Sequence, residues 1–220
     1  MNNSTLELLN VSIRNILPKV NYENRGDIKS KNLDPWGQVA HGQQNFGAVN
    51  LGIFDAKVKA NYNVKNMTGL SFFYINDMQV THVENNSNVL TGGITMSACS
   101  RNNFLAQIGG IVDDYSKNGI PKTQINGSVN VDRITATATG SFKASINGNE
   151  VSLKTITISG LSINYDGFDV STGELGIFNK VSGKLKEAII VLFRQQVVDA
   201  MSSALTPIIN EGFGTVLSQS

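Results

Sequence analysis

The chain has 220 residues, 40% of them hydrophobic and 16% charged, with 18 basic against 17 acidic side chains. This hydrophobicity, with a net charge of only +1, excludes an intrinsically disordered chain and offers no basic field for nucleic acid or an anionic membrane. No uninterrupted apolar run approaches the ~18–20 residues of a transmembrane segment; the longest, Ala188–Phe193, is closed by Glu187 and Arg194.

The first predicted element is a helix over residues 4–20. Ser4-Thr5-Leu6-Glu7 has the form of a capping box, and Leu6, Leu9, Ile13, Ile16/Leu17 and Val20 recur at three- and four-residue spacing. Pro18 should stop or bend this helix. Residues 21–47 are polar and broken by Gly26, Pro35, Gly37, Gly42 and Gly47, and read as a long ordered loop with Trp36 as its packing anchor.

The period then changes to two. Phe54, Ala56, Val58, Ala60, Tyr62 and Val64 alternate with polar residues, the mark of a strand with one buried face. A second strand over 70–83 buries Phe73 and Ile75 and, after a shift, Met78 and Val80; residues 85–88 form a turn. Val89–Ala98 returns, and Gly92-Gly93 within it suggests a bulge or sharp bend. Phe104–Val112 is a fourth strand, followed by a polar loop from Asp113 to Gln124. A long fifth strand carries Val129, Val131, Ile134, Ala136, Ala138, Phe142 and Ala144 with one slip near Asp132-Arg133. Asn147-Gly148 signals a hairpin into a sixth run through Leu153, Ile156, Ile158, Leu161 and Ile163, again with a slip. Strands longer than the usual ~5–6 residues, bulged and poor in aromatics, predict a strongly curved sheet over residues 48–165.

The last predicted element is a helix over residues 177–211, striped by Val181, Leu185, Ile189, Phe193, Val197, Met201, Leu205 and Ile208. Ile190, Val191, Leu192 and Val198 make its middle apolar nearly all round, which predicts burial on both sides. Pro207 should kink it and Gly212 and Gly214 should stop it. The order predicts an α+β fold of one elongated domain over 1–220: a long, highly curved antiparallel sheet rolled around the C-terminal helix, closed by the N-terminal helix.

Catalytic chemistry has little to stand on, and no motif asks for a cofactor. His41, in the predicted loop, and His82, in a strand, lack metal-site spacing, no Gly-x-Ser-x-Gly or Gly-rich phosphate cradle occurs, and Asp113-Asp114 reads as a solvated turn. The single cysteine, Cys99, follows Ile94, Met96 and Ala98 and reads as a small buried hydrophobe. The opening residues lack the pattern of a signal peptide, which fits a cytosolic chain or a mature secreted one. Sequons at Asn2, Asn3, Asn10, Asn66, Asn85 and Asn126, the last three in predicted turns, favour secretion. What asks for explanation is the apolar surplus on two helices and the inner strand faces, with small residues at Ala56, Ala60, Ala136, Ala138, Gly140 and Ala144 and adaptable Met67, Met78, Met96 and Met201. A packed core accounts for it; so does a cavity for a lipid-like ligand.

Asp34-Pro35-Trp36, the stretch Leu51-Gly52-Ile53-Phe54-Asp55-Ala56-Lys57-Val58, and Val64-Lys65-Asn66-Met67-Thr68-Gly69-Leu70 resemble the tubular lipid-binding superfamily. Within it the likeness is to mite group-7 allergens, insect takeout proteins and haemolymph juvenile-hormone-binding proteins. Leu175-Gly176-Ile177-Phe178, Leu192-Phe193-Arg194-Gln195-Gln196-Val197 and Ala204-Leu205-Thr206-Pro207 are most similar to the mite allergens. The resemblance implies a curved sheet wrapped around a long helix with an apolar pocket between them. Takeout and hormone-binding relatives usually carry an N-terminal disulfide; this chain has no cysteine before Cys99, which favours the mite-allergen branch.

The expected function is therefore carriage by a secreted protein, the partner being a hydrophobic small molecule. The expected ligand-binding residues are Ile13, Leu17, Val58, Tyr62, Ala136, Phe142, Ile189, Phe193, Val197 and Met201. The alternative is an interaction protein with a solid core and an Asn/Ser/Thr-rich recognition face.

Overall fold

The structure is a computed structural model and describes residues 3–52, 54–116, 119–147 and 150–219. Helix α1 (Asn3–Ser30) runs well past its predicted end. Pro18 lies inside it, because Val20, Asn24 and Ile28 continue the buried stripe beyond the proline and packing outweighs the lost N–H. The predicted loop of residues 21–47 is thus helix followed by strand. Trp36 opens β1 (Trp36–Asn50), a polar strand along the sheet margin in which Ala40 alone is fully buried. A strand with one neighbour and one wet face needs few apolar residues, so the periodicity does not reveal it.

Seven further strands complete one antiparallel sheet: β2 (Asp55–Thr68), β3 (Phe73–Asn86), β4 (Val89–Ser100), β5 (Phe104–Asp114), β6 (Thr123–Asn147), β7 (Glu150–Ile158) and β8 (Ser162–Ser171). The registers arrange them in long rows. Along one edge of β6, β4 and β5 lie end to end, with Cys99 opposite Thr135 and Phe104 opposite Val131. Along its other edge β7 and β8 do the same, with Ile158 opposite Gly140 and Ser162 opposite Thr137. Next to β4 and β5 run β3 and β2, joined through the 3₁₀ turn Leu70–Phe72.

The interruptions step across the sheet as a diagonal seam and divide it into two halves. The first half contains β1, β2, β5, the early part of β6, and β8. The second contains β3, β4, the late part of β6, and β7. The predicted slip at Asp132-Arg133 lies on this seam, where the buried series changes from Val129 and Val131 to Ile134 and Ala136. Polar groups stitch the bend. The Asp34 carboxylate accepts from Gly69 N at 3.1 Å and Ser71 N at 2.7 Å, and Ser100 Oγ accepts from Ile134 N at 3.1 Å.

The inner faces follow the predicted alternation: Ala56, Val58, Ala60, Tyr62 and Val64 on β2 and Phe73, Ile75, Met78 and Val80 on β3 are buried. Bulges lie at Asn76 and Thr81 of β3 and at Lys154 of β7, where the registers shift. Gly92-Gly93 is not itself bulged; β4 pairs evenly with β6, and the extra residue is Thr81 across from it. The turn after β3 uses positive φ at Ser87 and Asn88. Of the second hairpin signal, Gly148 lies outside the described residues, and β6 and β7 pair as far as Asn147 opposite Glu150.

After a 3₁₀ turn (Gly176–Val181) come α2 (Ser182–Leu192), a π turn (Phe193–Val197) and α3 (Val198–Ser218), in one continuous helical run. Gly212 and Gly214 do not stop it, since Ile209, Phe213 and Val216 carry the buried stripe onward. Nor is the middle covered on both sides: Val191 is 49% exposed. By length and composition, Gly176–Ser218 is apolar enough to cross a membrane, a property the shorter uninterrupted stretch does not show. Its apolar stripe packs onto the sheet and α1.

The helices reveal the curl. In the first half α2 packs against β1 and β8, the two outermost strands; in the second, α1 packs against β3 and β7, with α3 beside it on β7. A helix that touches both margins of a sheet half spans a trough.

Candidate functional site

The floor of this trough mixes alanines with larger residues such as Val58, Tyr62, Ile94, Met96, Phe104, Ile108 and Phe142. Ala56, Ala60 and Ala106 lie on it in the first half, and Ala98, Ala136, Ala138 and Ala144 in the second, all buried. Above stand Leu185, Ile189, Phe193 and Val197 from the α2 side, and Leu9, Ile13, Met201, Leu205 and Phe213 from α1 and α3. The buried polar residues Asn24, Ser71, Asp114 and Thr172 keep off the floor: Asn24 sits against Gly212 of α3, Ser71 at the seam, and Asp114 and Thr172 at strand ends. Little in this interior orients a ligand by hydrogen bonds, so discrimination there would rest on size and shape.

All ten residues expected to bind ligand are buried in this core. Val58, Tyr62 and Ile189 belong to the first half; Ile13, Leu17, Ala136, Phe142 and Met201 belong to the second. Phe193 and Val197 lie in the π turn between α2 and α3, at the change from one half to the other. A π turn widens a helix by one residue and often marks a working position. Phe193 meets Phe168 and Tyr165 edge-on, with centroids 4.9 and 5.5 Å away, and Arg194 Nε donates to the Tyr165 hydroxyl at 2.7 Å.

Two clefts meet at the β1 margin: one of about 720 Å³ over β1, β2 and β5 that reaches Gln196 of the π turn, and one of about 280 Å³ between β1 and the α2 side. Gly42, Gln43, Tyr62 and Gln196 line both. Tyr62 reaches this margin because the residue facing it on β1 is glycine: a Cβ on Gly42 would sit 2.8 Å from the phenol ring. Burial pushes the Tyr62 hydroxyl above its ordinary pKa of 10.0. The phenol thus stands between the outside and the trough.

A third cleft, of about 700 Å³, opens beside α1 at the seam. Its floor is Leu17, Phe73 and Ile75 and its rim Arg14, Tyr22, Arg25, Phe72, Tyr74 and Arg101. The Arg25 guanidinium lies 5.3 Å from the Phe72 ring centre, and that of Arg101 4.4 Å from the Tyr74 ring centre. A hydrogen bond with Cys99 leads in raising the Tyr74 pKa, and Arg101 opposes it. Sequence reasoning missed this rim. Arg14, Leu17, Pro18, Asn21 and Arg25 follow helical spacing, but only a helix continuing past Pro18 places them on one face. Of the ten expected residues, Tyr62 lines two of these clefts and Leu17 one; the other eight line none of the three.

Of the remaining polar candidates, His82 lies in a strand as expected and the others are placed differently. His41 is in β1 rather than a loop, and both histidines are exposed. Asp114 is buried at the end of β5, accepting from Lys57 N at 3.1 Å and Ser116 N at 2.9 Å, while Asp113 pairs with Lys122 at 3.3 Å. Cys99 is half-buried rather than fully buried, since its strand position faces outward. Asn66, Asn85 and Asn126 are exposed, yet they lie in β2, β3 and β6 rather than in turns. Among the described residues no group of three or more His, Cys, Asp or Glu side chains could hold a metal.

No protein-family model matches the chain, and no curated protein sequence matches it. Solved structures do. Takeout 1 of Epiphyas postvittana is 12% identical with a TM-score of 0.35, covering 86% of this chain and 81% of its own. Lipopolysaccharide binding protein is 12% identical with a TM-score of 0.32, covering 90% of this chain and 38% of its own. Mmm1 is 13% identical with a TM-score of 0.24, covering 87% of this chain and 80% of its own.

Proposed function

We propose that the chain is a secreted carrier that holds a hydrophobic small molecule between its helices and its sheet, without chemistry. The observation that carries this reading is the alanine-bearing floor beneath helices supported at the sheet margins. A curled sheet touched by a helix at both edges is deepest in the middle, and there Ala98, Ala106, Ala136, Ala138 and Ala144 alternate with larger apolar residues such as Ile94 and Phe142. Apolar ligand surface placed there leaves water at roughly 25 cal/mol per Å². A ligand of changing shape is matched by Met67, Met78, Met96 and Met201, all buried and unbranched. The apolar pocket implied by the sequence resemblance supports the same reading.

The test is uptake of an apolar naphthylamine probe, with native mass spectrometry for co-purified lipid. Stoichiometric uptake is expected. Ala136→Leu should abolish it while costing less than about 1 kcal/mol of stability, because the new side chain fills the space the ligand takes. No uptake, no bound lipid and a cost of several kcal/mol for Ala136→Leu would establish the solid-core alternative.

A further inference from the structure

From the cleft at the seam we infer a headgroup site: the ligand is an anionic amphiphile whose phosphate or carboxylate is held by Arg14, Arg25 and Arg101 while its chain runs inward over Leu17 and Phe73. This rests on the carrier reading and deepens it by naming the ligand class.

Three of the chain's five arginines line this one cleft, in a protein of net charge +1, and no carboxylate lines it. Among the described residues none of the three is in an ion pair. Arg25 and Arg101 are instead stacked on Phe72 and Tyr74. Stacking holds a guanidinium flat and leaves its edge N–H groups free to fork onto an oxyanion. The wall between them is amphipathic: Tyr22 is 77% exposed and Phe72 37%, so a ligand lying in the cleft would cover aromatic surface otherwise left to water. The floor completes the argument. Leu17, Phe73 and Ile75 belong at once to the cleft and to the buried core, so the charged rim stands directly over apolar side chains of the interior. Asn21 also lines the cleft, but it is tied to both peptide groups of Ile75, at 2.8 and 2.9 Å, and forms wall rather than ligand contact.

The experiment compares a long-chain fatty acid, its alkyl phosphate and the neutral alcohol of the same chain length, each displacing the naphthylamine probe at low salt. The acid and the phosphate are expected to bind about tenfold more tightly than the alcohol, as three solvent-exposed charge contacts allow. Replacing the three arginines together by glutamine should remove that preference and leave alcohol affinity unchanged; replacing them by lysine should restore part of it. Circular dichroism checks that each variant folds, and the three single glutamine variants, each losing part of the preference, stand in if the triple variant does not. Equal binding of acid and alcohol, or a preference that survives the glutamine variant, overturns the headgroup site while the carrier stands. Binding of none of the three overturns the carrier reading and this inference with it. Inorganic phosphate that occupies the cleft as tightly as the alkyl phosphate, with no gain from the chain, would assign the cleft to a free anion and overturns the amphiphile.

Discussion

The two halves of the sheet are closed by helices in different ways. In the second half the helices bond to the strand margins through asparagine. Asn21 of α1 receives Ile75 N and donates to Ile75 O, as a neighbouring strand would, and Asn10 one stripe earlier receives Val80 N at 3.0 Å. Asn210 of α3 does the same on the opposite margin, receiving Ile158 N at 2.8 Å and donating to Ile158 O at 3.2 Å. In the first half, among the described residues, no side chain of α2 bonds a peptide group of β1 or β8. That helix is fixed by apolar packing, by the Thr172 and Ser182 hydroxyls 3.0 Å apart at its start, and by Arg194 on Tyr165 just past its end. The second half is clasped and the first is covered. If a ligand enters by displacement of a helix, α2 is the one that can move at least cost, and Tyr62 lies beneath its margin.

The clasp is the feature to break first. Asn21→Leu leaves both peptide groups of Ile75 unpartnered at a part-buried edge and should cost about 2–4 kcal/mol, with a similar loss for Asn210→Leu at Ile158. Urea denaturation gives the magnitude, and hydrogen exchange at Ile75 and Ile158 should rise ahead of the rest of the sheet. A loss below 1 kcal/mol for both would mean that packing alone closes the second half and that the halves do not differ.

The contact between α1 and α3 gives the next largest effect. A Cβ on Gly212 would lie 2.2 Å from Asn24 Oδ1, so Gly212→Ala must displace the buried Asn24 amide from between the helices and should cost about 1–3 kcal/mol. Gly214, with nothing within 4 Å of its Cβ position, should respond in the opposite direction, Gly214→Ala stabilising by up to about 1 kcal/mol through helix propensity. Thermal melts of the two variants test the sign directly.

In the first half the expected effect is kinetic. Arg194→Ala removes one exposed hydrogen bond and should cost no more than about 1 kcal/mol. It should nonetheless speed probe uptake in stopped flow, because it removes a polar tie between the π turn and β8 and leaves the Phe193 ring contacts to hold them. Unchanged uptake would place access elsewhere than beneath α2.

The sequence shows the trough better than its closures. Alternation on β2 and the stripe from Leu185 to Met201 reveal which faces are inward, because burial of a whole face imposes a period. The asparagine clasps impose none: one polar residue per contact is indistinguishable in sequence from a solvated one, and Asn10 reads as a sequon. Pro18 hides the second half of α1 and with it the row Arg14, Asn21 and Arg25. Here local propensity, a missing N–H, is overridden by the long-range burial of Val20 and Ile28. Polar β1 is unreadable because a marginal strand is defined by its hydrogen bonds to β2 rather than by what it buries.

The smallest expected effect is a titration, and it bears on how closed the first half is. Burial holds the Tyr62 phenol above the ordinary 10.0, so the folded chain keeps a proton that the unfolded chain loses. The stability contributed by the neutral phenol is therefore fully present below about pH 10 and is lost as pH rises through the raised value. Tyr74 is also raised, through its hydrogen bond with Cys99, so the two must be separated by substitution. Urea midpoints measured on either side of about pH 10 should fall in the parent and in Tyr74→Phe, and fall less in Tyr62→Phe. A ligand that fills the trough and holds α2 down should raise the Tyr62 value further, seen as delayed tyrosinate absorbance. A Tyr62 phenol that ionises at the ordinary value would mean that water already reaches it, and that the margin beneath α2 stands open in the unliganded protein.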